Sequence, residues 1–226
     1  MDQNNNEKGM QEYKIFDSQY PLPHHKSNSR TKNDILMRAT ILFAKQGYEA
    51  VSMRDIAGAV DIQAASLYNH FNSKETLWKA VLDHAKDLYL LFFEQMEMQI
   101  KKASDFEEVI QIIFEEPEKM SNPFTCYAFA LIQAEQFRDE YAYEICNDYL
   151  IKYAIDFIKN QLDNCIAKGF VSDFDTLTVA NMYTNSVLIG INISVQKLMG
   201  RPIPFEAEKM IANLHQYFLE TINIKR

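Results

Sequence analysis

Residues 52–75 read SMRDIAGAVDIQAASLYNHFNSKE, and this stretch decides the fold of the N-terminal part of the chain. Ser52, followed three residues later by Asp55, predicts a capping box at the start of a short helix. Asp61 predicts a turn, because aspartate favours local side-chain hydrogen bonds over continuation of a helix. A second short helix follows, with Leu67 on its apolar side. Two short helices joined by a tight turn indicate a helix-turn-helix.

Helical periodicity extends on both sides of this pair. Thr31 is the predicted N-cap of a first helix, and Gly47 supplies the left-handed residue that ends it. Ser73 is the predicted cap of a fourth, longer helix over 74–100. Period-two alternation never persists, so no strand is expected. The predicted fold is all-α, an N-terminal three-helix helix-turn-helix domain followed by a C-terminal helical bundle, with further helices near 105–116, 124–137, 139–168, 174–198 and 205–223.

The charge of the chain is distributed unevenly. The 226 residues carry a formal charge of −8, which at first argues against a negatively charged partner. Residues 26–86, however, hold nine basic and six acidic side chains, a balance of +3. Residues 1–25 carry −2 and residues 87–226 carry −9. A basic block on an acidic body leaves nucleic acid open as a partner of the block.

The same stretch resembles the N-terminal domain of the TetR (tetracycline-repressor-like) family of bacterial regulators. The resemblance is carried by ILMRATILFAKQGYEAVSMRDIA and SLYNHFNSKETLW, within residues 31–80. Past residue 100 it extends only to chain length and helix layout. It implies a DNA-binding domain over 29–88 and a helical ligand-binding and dimerisation domain over 89–226. Residues 1–28 are rich in Asn, Gln and Ser with little periodicity, which predicts a flexible tail.

The resemblance also implies which residues contact DNA. Hydroxyl and backbone groups at the first two helix starts would meet phosphates, and the recognition helix would meet base edges in the major groove. Tyr68 has two readings, as a phosphate contact or as a core aromatic. Departures from the family pattern at Asp61, Gln63 and Ala64 bear on which operator is bound. The implied DNA-binding residues are Thr31, Ser52, Arg54, Gln63, Ala64, Ala65, Ser66, Tyr68, Asn69, His70 and Lys74.

The C-terminal body is rich in aromatic residues over 124–157. Nine of these 34 positions are aromatic, about twice the 12% of the whole chain. The family resemblance implies a ligand pocket here, whereas an ordinary aromatic core is the alternative. The preferred lining residues are Tyr127, Tyr149, Tyr153, Met182, Asn185 and Ser186.

The last two predicted helices, 174–198 and 205–223, suggest an association surface. The second carries apolar residues at a/d-like spacing (Met210, Ile211, Leu214, Phe218 and Ile222). Pairing two such hairpins about a twofold axis would make a four-helix homodimer interface, as in TetR-like dimers. An intramolecular core is the alternative, since an apolar stripe does not determine whether it packs within one chain or between two chains.

Other functions lack a sequence signature. We find no nucleophile elbow, phosphate loop or Cys/His arrangement, so neither an enzyme nor a cofactor is expected. No metal is expected either, because His84 and Asp87 form an isolated pair of a kind common on solvated faces. Cys126, Cys146 and Cys165 fit a reduced, cytoplasmic protein better than a disulfide framework. The charge-free run 176–196 contains nine hydrogen-bonding side chains, which favours a buried helix over a membrane span.

The sequence therefore predicts a ligand-responsive, dimeric DNA-binding regulator, most simply a repressor released from its double-stranded DNA operator by a small molecule. Control by a protein partner or by thiol oxidation is the alternative. A purely structural or interaction protein is a rival class, and it would show no salt-dependent binding to DNA. In the tail, His24, His25 and Lys26 suggest either a minor-groove arm or a disordered segment.

Overall fold

The computed structural model describes residues 30–120 and 123–203, with three isolated residues further on (213, 216 and 217). The side chains of residues 30, 31 and 115–120 are not among those described. The predicted tail over 1–28 and the predicted helix over 205–223, its three isolated residues apart, lie outside the described residues.

The described part of the chain is helical and contains no strand, which confirms the all-α prediction. A π-helical segment, Cys146–Tyr153, joins the seventh and eighth helices without a break. The helices are α1 (Arg30–Gln46), α2 (Met53–Ala59), α3 (Ala64–His70), α4 (Lys74–Ile100), α5 (Phe106–Met120), α6 (Pro123–Glu135), α7 (Glu140–Ile145), α8 (Ala154–Ala167) and α9 (Thr176–Leu198).

Local sequence signals set most of the boundaries around α2 and α3. Gly47 has φ +85° and ends α1, as glycine does where a left-handed residue is needed. Asp61 has φ +55° in the turn between α2 and α3, a conformation that aspartate tolerates better than most residues. The Ser73 hydroxyl accepts the Thr76 backbone N–H at 3.2 Å, which confirms it as a cap of α4.

The predicted N-cap role of Thr31 is wrong. The helix α1 includes Arg30, so Thr31 lies inside the helix and is not its N-cap. The sequence offered a hydroxyl at the right distance before the apolar stripe, but the helix extends at least one residue further toward the N-terminus. Thr31 still lies within the first two described residues of α1.

The described chain divides into two compact units. Unit 1 holds the described residues up to Leu88 together with 123–143, and unit 2 holds 89–120 and the described residues from Glu144 on. The first boundary falls where the predicted DNA-binding domain ends. Residues 123–143 nevertheless group with that domain, because α6 packs along α1. The functional domains over 29–88 and 89–226 remain predictions.

Each unit has its own apolar core. In unit 1, α1, α4 and α6 meet through Met37, Leu88 and Phe124. In unit 2, the end of α4 packs with α5, α8 and α9 around buried residues such as Ile110, Leu162 and Tyr183. These cores fix the helices whose exposed faces are available for binding.

Two further observations concern the described residues. None of their helices combines the length and the apolar character needed to cross a membrane. All three cysteines are buried, and none of them is in a disulfide bond.

Candidate nucleic-acid interface

The helix pair α2–α3 is held on unit 1 by its apolar side. Ile56 and Leu67 are completely buried, and Ala57 and Phe71 are nearly so. The backbone N–H of Ile62 donates to the Ala57 carbonyl at 3.0 Å and closes the turn between the two helices. The opposite sides of α2 and α3 are therefore free of core contacts and face outward.

The outward side of α3 presents the residues that the sequence predicts for base and phosphate contacts. Tyr68 is 48% exposed, so it is not a core residue, whereas Phe71 is 3% exposed and is one. Within α3 itself, Leu67 is the buried residue. The exposed predicted residues are Gln63, Ala65, Ser66, Tyr68 and Asn69, with Ala64 and His70 half-buried.

The start of α2 is organised by the predicted capping box. The Ser52 hydroxyl accepts the Asp55 backbone N–H at 3.2 Å, and the Ser52 backbone N–H donates to Asp55 Oδ2 at 2.8 Å. The Ser52 hydroxyl also donates to the same carboxylate at 2.6 Å, and these bonds hold the pKa of Asp55 below its ordinary value. A phosphate at this helix end would therefore meet Ser52 in competition with Asp55. The adjacent Arg54 is exposed.

Lys74 lies beside the turn between α1 and α2. Its ammonium group is 4.1 Å from the centroid of the Tyr48 ring and donates to the Glu49 carbonyl at 3.4 Å. Tyr48 in turn packs on Trp78, with ring centroids 4.9 Å apart. The lysine charge is thus held in one place by the aromatic face rather than extended on a mobile side chain.

Trp78 connects this aromatic group to the start of α7. Its indole N–H donates to Asp139 Oδ2 at 3.0 Å, while Asp139 Oδ1 accepts the Ala142 backbone N–H at 2.7 Å. Asp139 therefore caps α7 and anchors it to α4 with the same carboxylate. Tyr141 adds a second anchor, because its hydroxyl donates to Asp83 Oδ1.

Lys32 is a basic residue of this region that the sequence analysis did not select. Its ammonium group lies 5.5 Å from the centroid of the Phe71 ring, next to the end of α3. The sequence signal was a positive charge in the first turn of a helix, where it is unfavourable for the helix dipole. The sequence of α3 alone gives no indication of such a residue, because Lys32 lies in another helix.

The predicted ligand-lining residues fall in both units. Tyr127 is buried in unit 1, with the Lys45 ammonium group 5.2 Å from its ring centroid. In unit 2, Tyr153 packs against Phe93 and Phe157, with centroids 5.4 and 6.4 Å away. Tyr149 is half-buried one helical turn earlier in the same segment.

The three candidates on α9 are exposed or half-buried. Met182 is 39% exposed, and Asn185 is exposed with its side-chain amide donating to the Asn181 carbonyl at 2.8 Å. The Ser186 hydroxyl donates to the Met182 carbonyl at 2.7 Å. The buried polar contact of this helix comes instead from Tyr183, whose hydroxyl donates to the Ile113 carbonyl at 2.7 Å.

His84 and Asp87 do not form part of a larger ligand set. Over the residues that the structure describes, no three His, Cys, Asp or Glu side chains are grouped so that they could hold a metal ion. Both ring nitrogens of His84 are buried without a hydrogen-bond partner in that part of the chain. Burial lowers the pKa of His84 to about 4.

Comparison with known proteins supports the resemblance seen in the sequence. Residues 35–81 match the family model of bacterial regulatory proteins of the tetR family. Over 88 residues the chain is 31% identical to IcaR of Staphylococcus aureus, a negative transcriptional regulator of the biofilm operon icaADBC; this covers 37% of the chain and 44% of IcaR. Over 62 residues it is 39% identical to the transcriptional repressor KstR2 of Rhodococcus jostii, covering 27% and 30%. These matches span less than half the length of either relative.

Solved structures extend the likeness of the fold beyond the N-terminal segment. A transcriptional regulator from Saccharomonospora viridis, solved in complex with choline, gives a TM-score of 0.66 at 19% identity, over 86% of this chain and 98% of that one. At such identity the likeness concerns the fold. The chain thus has an N-terminal segment that matches the tetR family model and a helical fold like that of solved transcriptional regulators, which confirms the resemblance.

Proposed function

We propose that this protein is a homodimeric DNA-binding transcriptional regulator whose α3 enters the major groove. The observation that carries the proposal is the outward polar face of α3 within the segment that matches the tetR family. Base edges in the major groove present a distinct donor and acceptor pattern for each base pair. Gln63 offers the amide that pairs with adenine, and the methyl groups of Ala64 and Ala65 suit thymine.

Phosphate contacts would position this helix on the duplex. Arg54, Tyr68, Asn69, His70 and Lys74 are the proposed contributors, and Lys74 is already fixed by Tyr48 and Glu49. A pre-positioned charge loses less side-chain entropy on binding. Ser52 would take part through its helix start, and Thr31 through the first turn of α1.

The regulator is proposed to repress transcription and to leave its operator when a small molecule binds. The names of IcaR as a negative regulator and KstR2 as a repressor support the first part. The choline complex of a protein with the same fold supports the second. Helix α4 is continuous over 27 residues and contributes to both units, so it is the proposed carrier of the ligand's effect. Ligand and DNA must then prefer different states of the protein.

The proposed ligand-contacting residues are those predicted from the sequence, with the aromatic side chains in the leading role. Tyr149 and Tyr153 lie in the segment before α8, and Tyr153 belongs to a ring cluster with Phe93 and Phe157. Tyr127, Met182, Asn185 and Ser186 stay in the proposed set.

Dimerisation is proposed through α9 and the segment that follows it. Large apolar side chains on α9 are exposed, among them Leu177 at 49% and Ile189 at 45%. Twofold pairing of such helices would bury them and would place two copies of α3 for two half-sites.

Control by a protein partner remains the alternative to a small ligand. Thiol oxidation is less well supported, because all three cysteines are buried. Burial also raises the pKa of the Cys146 and Cys165 thiols, which lowers the share of reactive thiolate. A cytoplasmic location and the absence of enzymatic activity are proposed with the regulatory role; relatives named as regulators support both.

The test is selection of bound duplexes from a random or genomic DNA pool with the purified full chain. The proposal expects one enriched, roughly palindromic sequence and an affinity that falls steeply with salt concentration. Equal recovery of all sequences, or binding indifferent to salt, would contradict it. To distinguish dimeric from monomeric binding, the protein is titrated against the operator duplex at two concentrations.

A further inference from the structure

The long helical segment from Glu140 to Ala167 changes its hydrogen-bonding pattern in the middle. Residues Cys146–Tyr153 are π-helical, and α-helix continues on both sides. A π-helix is rare, usually amounts to a single turn, and tends to occur at functional sites. Neither proline nor glycine occurs between residues 140 and 167, so nothing in the covalent chain enforces the change.

A side chain from α4 supports the π-helical segment. The Tyr89 hydroxyl is buried and donates to the Leu150 carbonyl at 3.0 Å, in the second half of the segment. The hydroxyl thus adds a hydrogen bond from another helix to a backbone carbonyl inside the segment. Tyr89 also packs edge-to-face on Phe93, which contacts Tyr153 at the end of the segment.

The helix is anchored on the N-terminal side of the segment. Asp139 accepts the Trp78 indole N–H, and Tyr141 donates to Asp83, so α7 is tied to α4 by two side-chain bonds. On the C-terminal side, Ile158 and Leu162 of α8 are buried in the core of unit 2. A change of register between these points must be accommodated by rotation of α8 or by the segment itself.

We infer that Cys146–Tyr153 is a two-state segment, held π-helical by the Tyr89–Leu150 hydrogen bond and able to pass to α-helix. An i→i+5 turn contains one residue more than an i→i+4 turn, so the passage displaces α8 by one residue relative to α7, about 100° of rotation and 1.5 Å of rise. The segment contains Tyr149 and Tyr153, so a ligand touching either side chain would favour one state. That last step rests on the proposed function; the two-state segment does not.

Amide hydrogen exchange on the full chain tests the hydrogen bond. Tyr89→Phe removes the hydroxyl and keeps the ring; Tyr183→Phe is the matched control, because the Tyr183 hydroxyl donates to Ile113 in the regular helix α5. We expect exchange of the amides of residues 146–155 to become about tenfold faster in Tyr89→Phe, with no change there in Tyr183→Phe. Equal exchange of these amides in both variants would overturn the inference.

Deletion of one residue tests the extra residue directly. A chain lacking the exposed Asp148 has the length that an uninterrupted α-helix needs, whereas a chain lacking the exposed Asn160 shifts the register of α8. We expect the chain lacking Asp148 to have a melting temperature close to that of the full chain, and the chain lacking Asn160 to have a markedly lower one. An equal decrease of the melting temperature in both chains overturns the inference. Both measurements are made without DNA, so failure of the wild-type chain to bind any duplex would count against the proposed function alone.

Discussion

The ammonium group of Lys74 lies 4.1 Å from the centre of the Tyr48 ring, so the first residue of α4 is attached to the turn that follows α1. Tyr48 continues this contact to Trp78 and Phe43, at 4.9 and 5.5 Å between ring centroids. A charge placed against a packed aromatic cluster is a fixed feature of the surface next to α2 and α3. This makes Lys74 the most direct probe of the proposed interface.

Replacing Lys74 is expected to weaken DNA binding evenly across sequences. Lys74→Ala should lower the slope of log affinity against log salt concentration by about one for each bound protomer, since one phosphate contact is lost. Fluorescence anisotropy of a labelled duplex at several salt concentrations measures the slope. Lys79→Ala is the control, because Lys79 lies on the same helix and also contacts an aromatic ring, that of Tyr141. The same slope change in both variants would contradict the role of Lys74.

Alanine substitutions of Gln63 and of Arg54 are expected to affect DNA binding in different ways. Gln63→Ala should cost about 1–3 kcal/mol on the best operator and relax the preference at the base pair it contacts. Arg54→Ala should weaken all sequences alike, as a phosphate contact does. Repeating the pool selection with each variant distinguishes the two. If Gln63→Ala enriches an unchanged sequence with unchanged affinity, this residue does not read a base.

The capping box of α2 predicts a pH-dependent loss of stability. Ser52→Ala removes the hydroxyl that satisfies the Asp55 N–H and should cost about 1 kcal/mol of unfolding free energy near pH 7. The pKa of Asp55 is lowered in the folded state, so its contribution is present above the ordinary aspartate pKa and disappears as the pH falls below it.

Urea unfolding of Ser52→Ala and the parent chain between pH 7 and pH 3 checks this. The difference between the two should shrink below about pH 4. Ser66→Ala, at an exposed position inside α3, serves as the control and should be neutral. A constant difference over the whole pH range would show that the bond from the Ser52 hydroxyl to the Asp55 carboxylate adds nothing to the cap.

The Trp78–Asp139 hydrogen bond is expected to stabilise unit 1. Trp78→Phe keeps an aromatic ring but removes the indole N–H that donates to the carboxylate at 3.0 Å. Hydrogen bonds to charged groups contribute about 1.5–3 kcal/mol. A double-mutant cycle with Asp139→Asn, in which unfolding is monitored by circular dichroism, separates the contribution of this hydrogen bond from the loss of ring packing. A coupling energy near zero would mean that the two side chains are neighbours without mutual stabilisation.

Burial of His84 predicts acid sensitivity. Its pKa is lowered from 6.5 to about 4 by burial, so the unfolded chain binds a proton before the folded one does. Stability is therefore complete above pH 6.5 and falls as the pH approaches 4, by up to about 3 kcal/mol. His84→Leu should remove most of that slope, as measured by urea unfolding at half-unit pH steps. An unchanged slope in the variant would assign the acid sensitivity to other groups.

Local signals explain why the helix-turn-helix was predictable from sequence. Ser52 with Asp55, Gly47 and Asp61 act through their own backbone or that of residues three positions away, so their effect is present in any context. Their observed geometry agrees with the prediction. The exposure of Tyr68 was harder to predict from the sequence, since an aromatic residue can lie in a core or on a surface, depending on how its helix is oriented.

Features that depend on distant partners were not predictable. The periodicity over 139–168 predicted a helix but did not distinguish i→i+4 from i→i+5 bonding, because the Tyr89 hydroxyl that supports the π-helical segment comes from another helix. The grouping of α6 with the first unit depends on packing along α1, which composition does not reveal. The buried contact of Tyr183 with α5 was missed for the same reason.

The burial of all three thiols has a practical consequence for testing the proposed dimer. A Ser66→Cys chain would carry one accessible sulfhydryl, on the outward side of α3, and a spin label would react there first. In the proposed symmetric pair of chains, the distance between two such labels reports the separation of the two α3 helices. A spacing near 34 Å would match successive major grooves on one side of a duplex. A change of this distance on addition of a small-molecule effector would measure the proposed response to that effector directly.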